Sequence, residues 1–164
     1  MPTIRVLLTG LPVLVLCLLF QAVFVSLSLR GYARFKQNHA QYPRLRDDVT
    51  ILSAVMLFAL FGNFLQMVIW AVLFRLLGEF QDFPTALYHS GVNFATLGYV
   101  DIVMSERWRL LGPLEASNGV LMFGVSTAVM TAAVIDVVKT SAARILGEHA
   151  PVLFSESDDP PRDT

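Results

Sequence analysis

The chain has 164 residues, 55% of them hydrophobic and only 15% charged, with one cysteine. A soluble domain of this length carries more charge. A net charge of −1 gives no electrostatic footprint for nucleic acid, and a single cysteine, Cys17, cannot close an intrachain disulfide. No Gly-rich phosphate loop, zinc-type Cys/His spacing or nucleophile elbow is present, and the acids are scattered along the chain, so an enzyme is not expected.

In chain order, the first predicted element is a membrane-spanning helix within residues 1–30. Val6 to Leu29 is free of charge, and about 20 apolar residues suffice to cross a hydrocarbon core of about 30 Å. The run is longer than the ~7–15 residues of a signal-peptide core, and no small-x-small cleavage site follows, so it is read as a retained span. It has no repeated arginine and is not a voltage sensor of the usual kind; it is expected at the periphery. Residues 31–48 are predicted as a basic connection with Tyr32, Phe35 and Tyr42 interleaved. Either it lies on anionic lipid, or its charges simply set topology.

The second charge-free run, Val49 to Phe74, predicts an outer helix over 49–77. Asn63 and Gln66 are three apart and share a face, which suits interhelical hydrogen bonding. The third run, Ala116 to Ile135, predicts an inner helix over 113–138. The rest, 141–164, turns acidic and Pro-rich from His149 and is expected to be a partly disordered tail. Basic residues concentrate in the first connection (Arg30, Arg34, Lys36, Arg44, Arg46) and after the third run (Lys139, Arg144, Arg162), against Arg5 at the start and Arg75, Arg107 and Arg109 in the second connection. The count puts the first connection and the C-terminus in the cytoplasm and the N-terminus outside, in a multi-pass protein of the cell membrane.

Between the second and third runs lies Phe83–Asp101, FPTALYHSGVNFATLGYVD. Pro84 suits a first helical turn, and Asp82 complements the positive helix end. Residues 84–95 would form a helix of about 18 Å, too short to span, so the segment must dip in and return. Non-helical backbone survives at that depth only where protein buries it or water lines it.

Phe83-Pro84-Thr85-Ala86-Leu87-Tyr88 followed by Thr96-Leu97-Gly98-Tyr99-Val100-Asp101 resembles the pore loop of potassium channels, whose usual filter reads Thr-Val-Gly-Tyr-Gly-Asp. The close match covers Phe83–Asp101, and the two flanking helices extend it to 49–138 within a pore domain of 49–140. The resemblance implies an all-α membrane protein of three transmembrane helices, a re-entrant pore helix and a selectivity filter (96–101), assembled as a homotetramer in lipid. It implies no organic cofactor, only potassium ions held by the hydroxyl and carbonyl of Thr96 and the carbonyls of Leu97, Gly98, Tyr99 and Val100. The Tyr99 ring would brace the filter against the pore helix.

Two positions depart from the family. Val100 stands where the filter glycine is usual. A β-branched residue in a left-handed conformation costs roughly 1–2 kcal/mol, so the outer filter is expected to rearrange and to lose or widen its outermost site. This leaves open a potassium channel, a weakly selective cation channel or a non-conducting structural subunit. Val92 replaces the pore-helix glutamate that some potassium channels bond to the filter aspartate, so Asp101 must find another partner or face water. Tyr88 is grouped with Asp101 as filter support. Glu115 and Asn118, one turn apart at the outer start of the inner helix, would support the filter through Tyr99 or Asp101, or lie at headgroup level. His89 is either a pH sensor or a bonded group of the supporting shell. Gly124 is a hinge candidate or a close-packing position. Ser126, Thr127 and Thr131 either line a wet cavity or bond their own backbone. Asp136 forms a cation-attracting ring or snorkels beside Lys139. No ligand-binding domain fits in the tail, so gating is left to the membrane part, the filter or a separate regulatory subunit.

Overall fold

A computed structural model describes residues 2–38 and 45–153. It contains four helices, α1 (Pro2–Asn38), α2 (Leu45–Leu76), α3 (Phe83–Phe94) and α4 (Leu111–Leu153). Three of them hold stretches long and apolar enough to cross a membrane: Thr3–Phe35, Arg46–Leu76 and Leu111–Ala142. The fourth, α3, is 12 residues long, or about 18 Å, and cannot span. The described residues form an all-helical protein, as the hydropathy pattern requires.

The ends of the long helices differ from the sequence expectation. The connection drawn over 31–48 is helical through Asn38, and α2 resumes at Leu45. The tail drawn from 141 continues α4 to Leu153; residues 154–164 lie outside the described ones. Charge marks where the bilayer ends, and a helix has no reason to stop there. Arg, Lys, Gln, Ala and Leu all favour helix, so α1 and α4 run on past the membrane edge. Pro12 lies inside α1. A proline removes one helical hydrogen bond, which neighbouring helices in a membrane can compensate.

The helix α1 keeps clear of α3. It packs on both α2 and α4, and its Val6 and Cys17 belong to one buried cluster with Trp70, Ala71, Phe74, Phe80, Ala86, Trp108 and Leu111. Further along, Phe24 stacks on Phe58 with centroids 4.6 Å apart. Gly62 makes room for that ring: a Cβ there would sit 2.8 Å from Phe24 Cδ1. The short helix α3 is wedged between α2 and α4.

One contact fixes the depth of that wedge. A Cβ at Gly119 would come 1.9 Å from the carbonyl oxygen of Phe94, the last residue of α3. Glycine lets the backbone of α4 rest directly on the end of α3. Gly124 is different, since an added Cβ there meets nothing within 4 Å. Close packing within the protomer therefore belongs to Gly119 and not to the hinge candidate.

A candidate ion path at the re-entrant loop

Local chemistry starts α3 where the loop needs it. Asp82 is the N-cap in extended conformation, and its carboxylate accepts from the Thr85 N–H at 2.8 Å. Such a cap is worth about 0.5–2 kcal/mol, and Pro84 has no N–H to leave unpaired. The helix ends at Phe94. Thr96 N and Leu97 N donate to the carbonyls of Asn93 and Val92 at 2.9 Å each, after which the chain leaves helical geometry.

The next residues alternate in handedness. Thr96, Gly98 and Val100 have φ of +57°, +63° and +59°, while Leu97 and Tyr99 between them do not enter positive φ. Alternating left- and right-handed residues brings successive N–H groups to one side of a chain, which sends the carbonyls to the other. Among the described residues, no hydrogen bond ends on the carbonyls of Thr96 to Val100. All five residues are exposed in the single chain. Val100 itself is left-handed, at φ +59°. It takes the left-handed conformation that glycine would have taken. The Tyr99 ring, expected to brace the pore helix, is not packed into its own protomer, since 64% of the residue is exposed.

Beyond the filter stretch, the chain is tied back at three points. Tyr88 Oη donates to Asp101 Oδ2 at 2.6 Å, and this bond holds the Asp101 carboxyl below its ordinary range. The tyrosine supplies the partner that Val92 cannot. His89 Nδ1 bonds the Ile102 carbonyl at 3.0 Å, with its ring set against Phe74 and Phe80. Burial pushes this imidazole below its ordinary value, which suits the bonded reading. Finally, Glu79 accepts from Ser105 N at 2.6 Å and Ser105 Oγ at 2.7 Å, anchoring the loop to the end of α2.

Glu115 and Asn118 are buried within the protomer, and among the described residues neither bonds Tyr99 or Asp101. Glu115 bonds Ser90 Oγ and, at 3.2 Å, Asn93 Nδ2, both on α3. Asn118 Nδ2 donates to Gln66 Oε1 at 3.3 Å. The support is thus indirect: α4 holds α3, and α3 holds the loop. Ser90 and Asn93 went unremarked in the sequence. Their three-residue spacing puts them on one face, and two polar residues facing a membrane acid would have been the signal.

A second polar seam joins α1, α2 and α4. Gln66 Nε2 donates to Gln21 Oε1 at 2.8 Å, Asn63 Nδ2 to Ser126 Oγ at 3.2 Å, and Gln21 Nε2 to Ser126 Oγ at 3.5 Å. The expected role of Asn63 and Gln66 is the one observed. Ser126 is buried in this seam, whereas Thr127 and Thr131 are exposed in the single chain. Asp136 accepts from Tyr32 Oη at 2.6 Å. Gln21 was not singled out, and Tyr32 was read only as an aromatic of the basic connection, because nothing in a sequence says which helix a lone polar residue will meet.

No curated protein and no solved structure matches the chain. A family model described as "ion channel" matches residues 50–136, which is over half of the chain and contains α3, the loop and the facing parts of α2 and α4. The re-entrant helix, the alternating backbone behind it and this match converge, and the chain belongs to the ion-channel family.

Proposed function

We propose that four copies of the chain surround a central path and that the channel passes potassium passively through the backbone carbonyls of Thr96 to Val100. The observation that carries this reading is the run of alternating handedness whose carbonyls accept no hydrogen bond among the described residues of the chain. A backbone polar group left unsatisfied at membrane depth costs several kcal/mol, so the run calls for water or cations. One loop supplies one side of a path, so a ring of copies follows from the mechanism. Potassium is favoured over the weakly selective and non-conducting alternatives because Val100 takes the glycine-like conformation. The Thr96 hydroxyl would serve the innermost site, and the C-terminal end of α3 carries partial negative charge suited to a cation beneath it. Gly124, with free space around it, would let α4 bend. The distribution of basic residues supports an N-terminus outside and a C-terminus in the cytoplasm.

The test is ion flux from purified protein in liposomes loaded with potassium, then sodium, read with a proton-coupled dye. Flux with potassium and little with sodium is expected. Equal flux would point to a non-selective pore, and no flux with either ion would remove the conduction reading. Thr96→Ala should weaken block by barium if the innermost site is where it is placed.

A further inference from the structure

Ser90 Oγ lies within hydrogen-bonding distance of two oxygens from different helices. One is the Met67 carbonyl of α2, at 2.8 Å; the other is Oε1 of Glu115 on α4, a short contact. A carbonyl can only accept, and a serine hydroxyl has one proton to give. With that proton on the Met67 bond, the Ser90–Glu115 contact needs a proton from Glu115. The rest of the chain of contacts agrees. Glu115 Oε2 accepts from Asn93 Nδ2 at 3.2 Å and needs none of its own. The other proton of that amide points to His89 Nε2 at 3.0 Å. Nε2 is the bare nitrogen of the ring, because Nδ1 must donate to the Ile102 carbonyl. With Glu115 and His89 both neutral, every contact from Met67 to Ile102 has one donor and one acceptor. With Glu115 ionised, one contact loses its proton.

Burial points the same way. Glu115 is 0% exposed, and the groups it bonds, Ser90 and Asn93, are neutral. An ionised carboxylate buried without a cation is costly. The titratable groups around this chain are the Cys17 thiol of α1, which faces Glu115, and Asp101 and Glu79, which face His89. Arg109 shares a cavity of about 350 Å³ with His89 and Asn93.

We propose that Glu115 is held as a neutral carboxylic acid donating to Ser90, and that this proton positions the outer turn of the filter through Asn93 and His89. Its effect on conduction rests on the channel reading above; the state of the carboxyl does not. Glutamine reproduces the arrangement, since its amide N–H can replace the acid O–H toward Ser90 while its carbonyl still accepts from Asn93. Alanine removes both contacts.

The test is infrared difference spectroscopy of the full-length protein in liposomes at neutral pH, wild type minus Glu115→Gln, paired with the flux assay. A carboxylic-acid carbonyl band should be present in the wild type, absent in Glu115→Gln and shifted in Ser90→Ala. Glu115→Gln should retain the potassium-over-sodium ratio, and Glu115→Ala should lose it. Carboxylate bands in place of the acid band overturn the proposal whether or not the protein conducts. A Glu115→Gln protein that fails to assemble also overturns it, because the neutral isostere should be accepted. An unaltered ratio in Glu115→Ala, with the acid band present in the wild type, overturns the positioning role. A wild type without flux fails the channel reading and the positioning role with it, while the band still decides where the proton is.

Discussion

Val100, at φ +59°, is held against a preference of about 1–2 kcal/mol, and each copy in an assembly carries the same strain. Val100→Gly is therefore expected to raise the thermal stability of the assembly by about 1–2 kcal/mol per chain, measured as the temperature at which it dissociates in detergent. Because the backbone already follows the left-handed path, the potassium-over-sodium ratio should change little. A large rise in that ratio would show that the valine side chain, not the backbone, limits selectivity. The sequence showed which residue was unusual but not how the chain would accommodate it, since φ depends on surroundings no local pattern encodes. Tyr88 and Asp101 give a second prediction. The tyrosine bond lowers the Asp101 carboxyl from its ordinary 3.8, so its stabilisation is full above that value and is lost as pH falls through the lower folded one. Tyr88→Phe should thus be less stable than wild type at neutral pH. The gap should close on acidification below the ordinary value, followed by thermal unfolding across the pH range.

Gly119 and Gly124 lie on one helix and predict opposite outcomes. At Gly119 a methyl would overlap the Phe94 carbonyl at 1.9 Å, and neither partner is a flexible side chain. Overpacking typically costs about 1–3 kcal/mol and occasionally more, so Gly119→Ala should displace α3 and sharply reduce the yield of folded protein. Gly124→Ala meets open space in the protomer and gains helix propensity of about 1 kcal/mol. It should fold normally and, if Gly124 is where α4 bends, slow opening of the pore. Folded yield and single-channel kinetics read the two outcomes. Three spans, a short re-entrant helix and its Asp82–Pro84 start were legible, because hydropathy and capping act locally. The ends of α1 and α4 were not, since the sequence shows the bilayer boundary far more plainly than the end of a helix.

For the whole molecule, the surprise is α1. Its hydropathy promised a span and nothing else, yet Gln21 bonds Gln66 and Ser126 across two other helices. Interhelical hydrogen bonds in membranes are worth about 0.6–2 kcal/mol each. Gln21→Leu should loosen α1 by about that much, seen as faster proteolysis of the connection between α1 and α2 at unchanged expression. No loss of protection would mean that apolar packing alone seats the helix.

Its attachment points also decide how the molecule can move. Ser126 and Asp136, which α1 holds through Gln21 and Tyr32, both lie beyond Gly124 as α4 leads away from α3. If α4 bends at Gly124, these bonds draw α1 along, against its own contacts with Gln66 and Phe58 of α2. In such a bend the moving arm of each chain would be two cylinders abreast, each about 10–12 Å across, and it would sweep aside lipid in proportion to that width. The leaflet on that side would then be part of the hinge, and the tighter its lipids pack, the more work each swing would require.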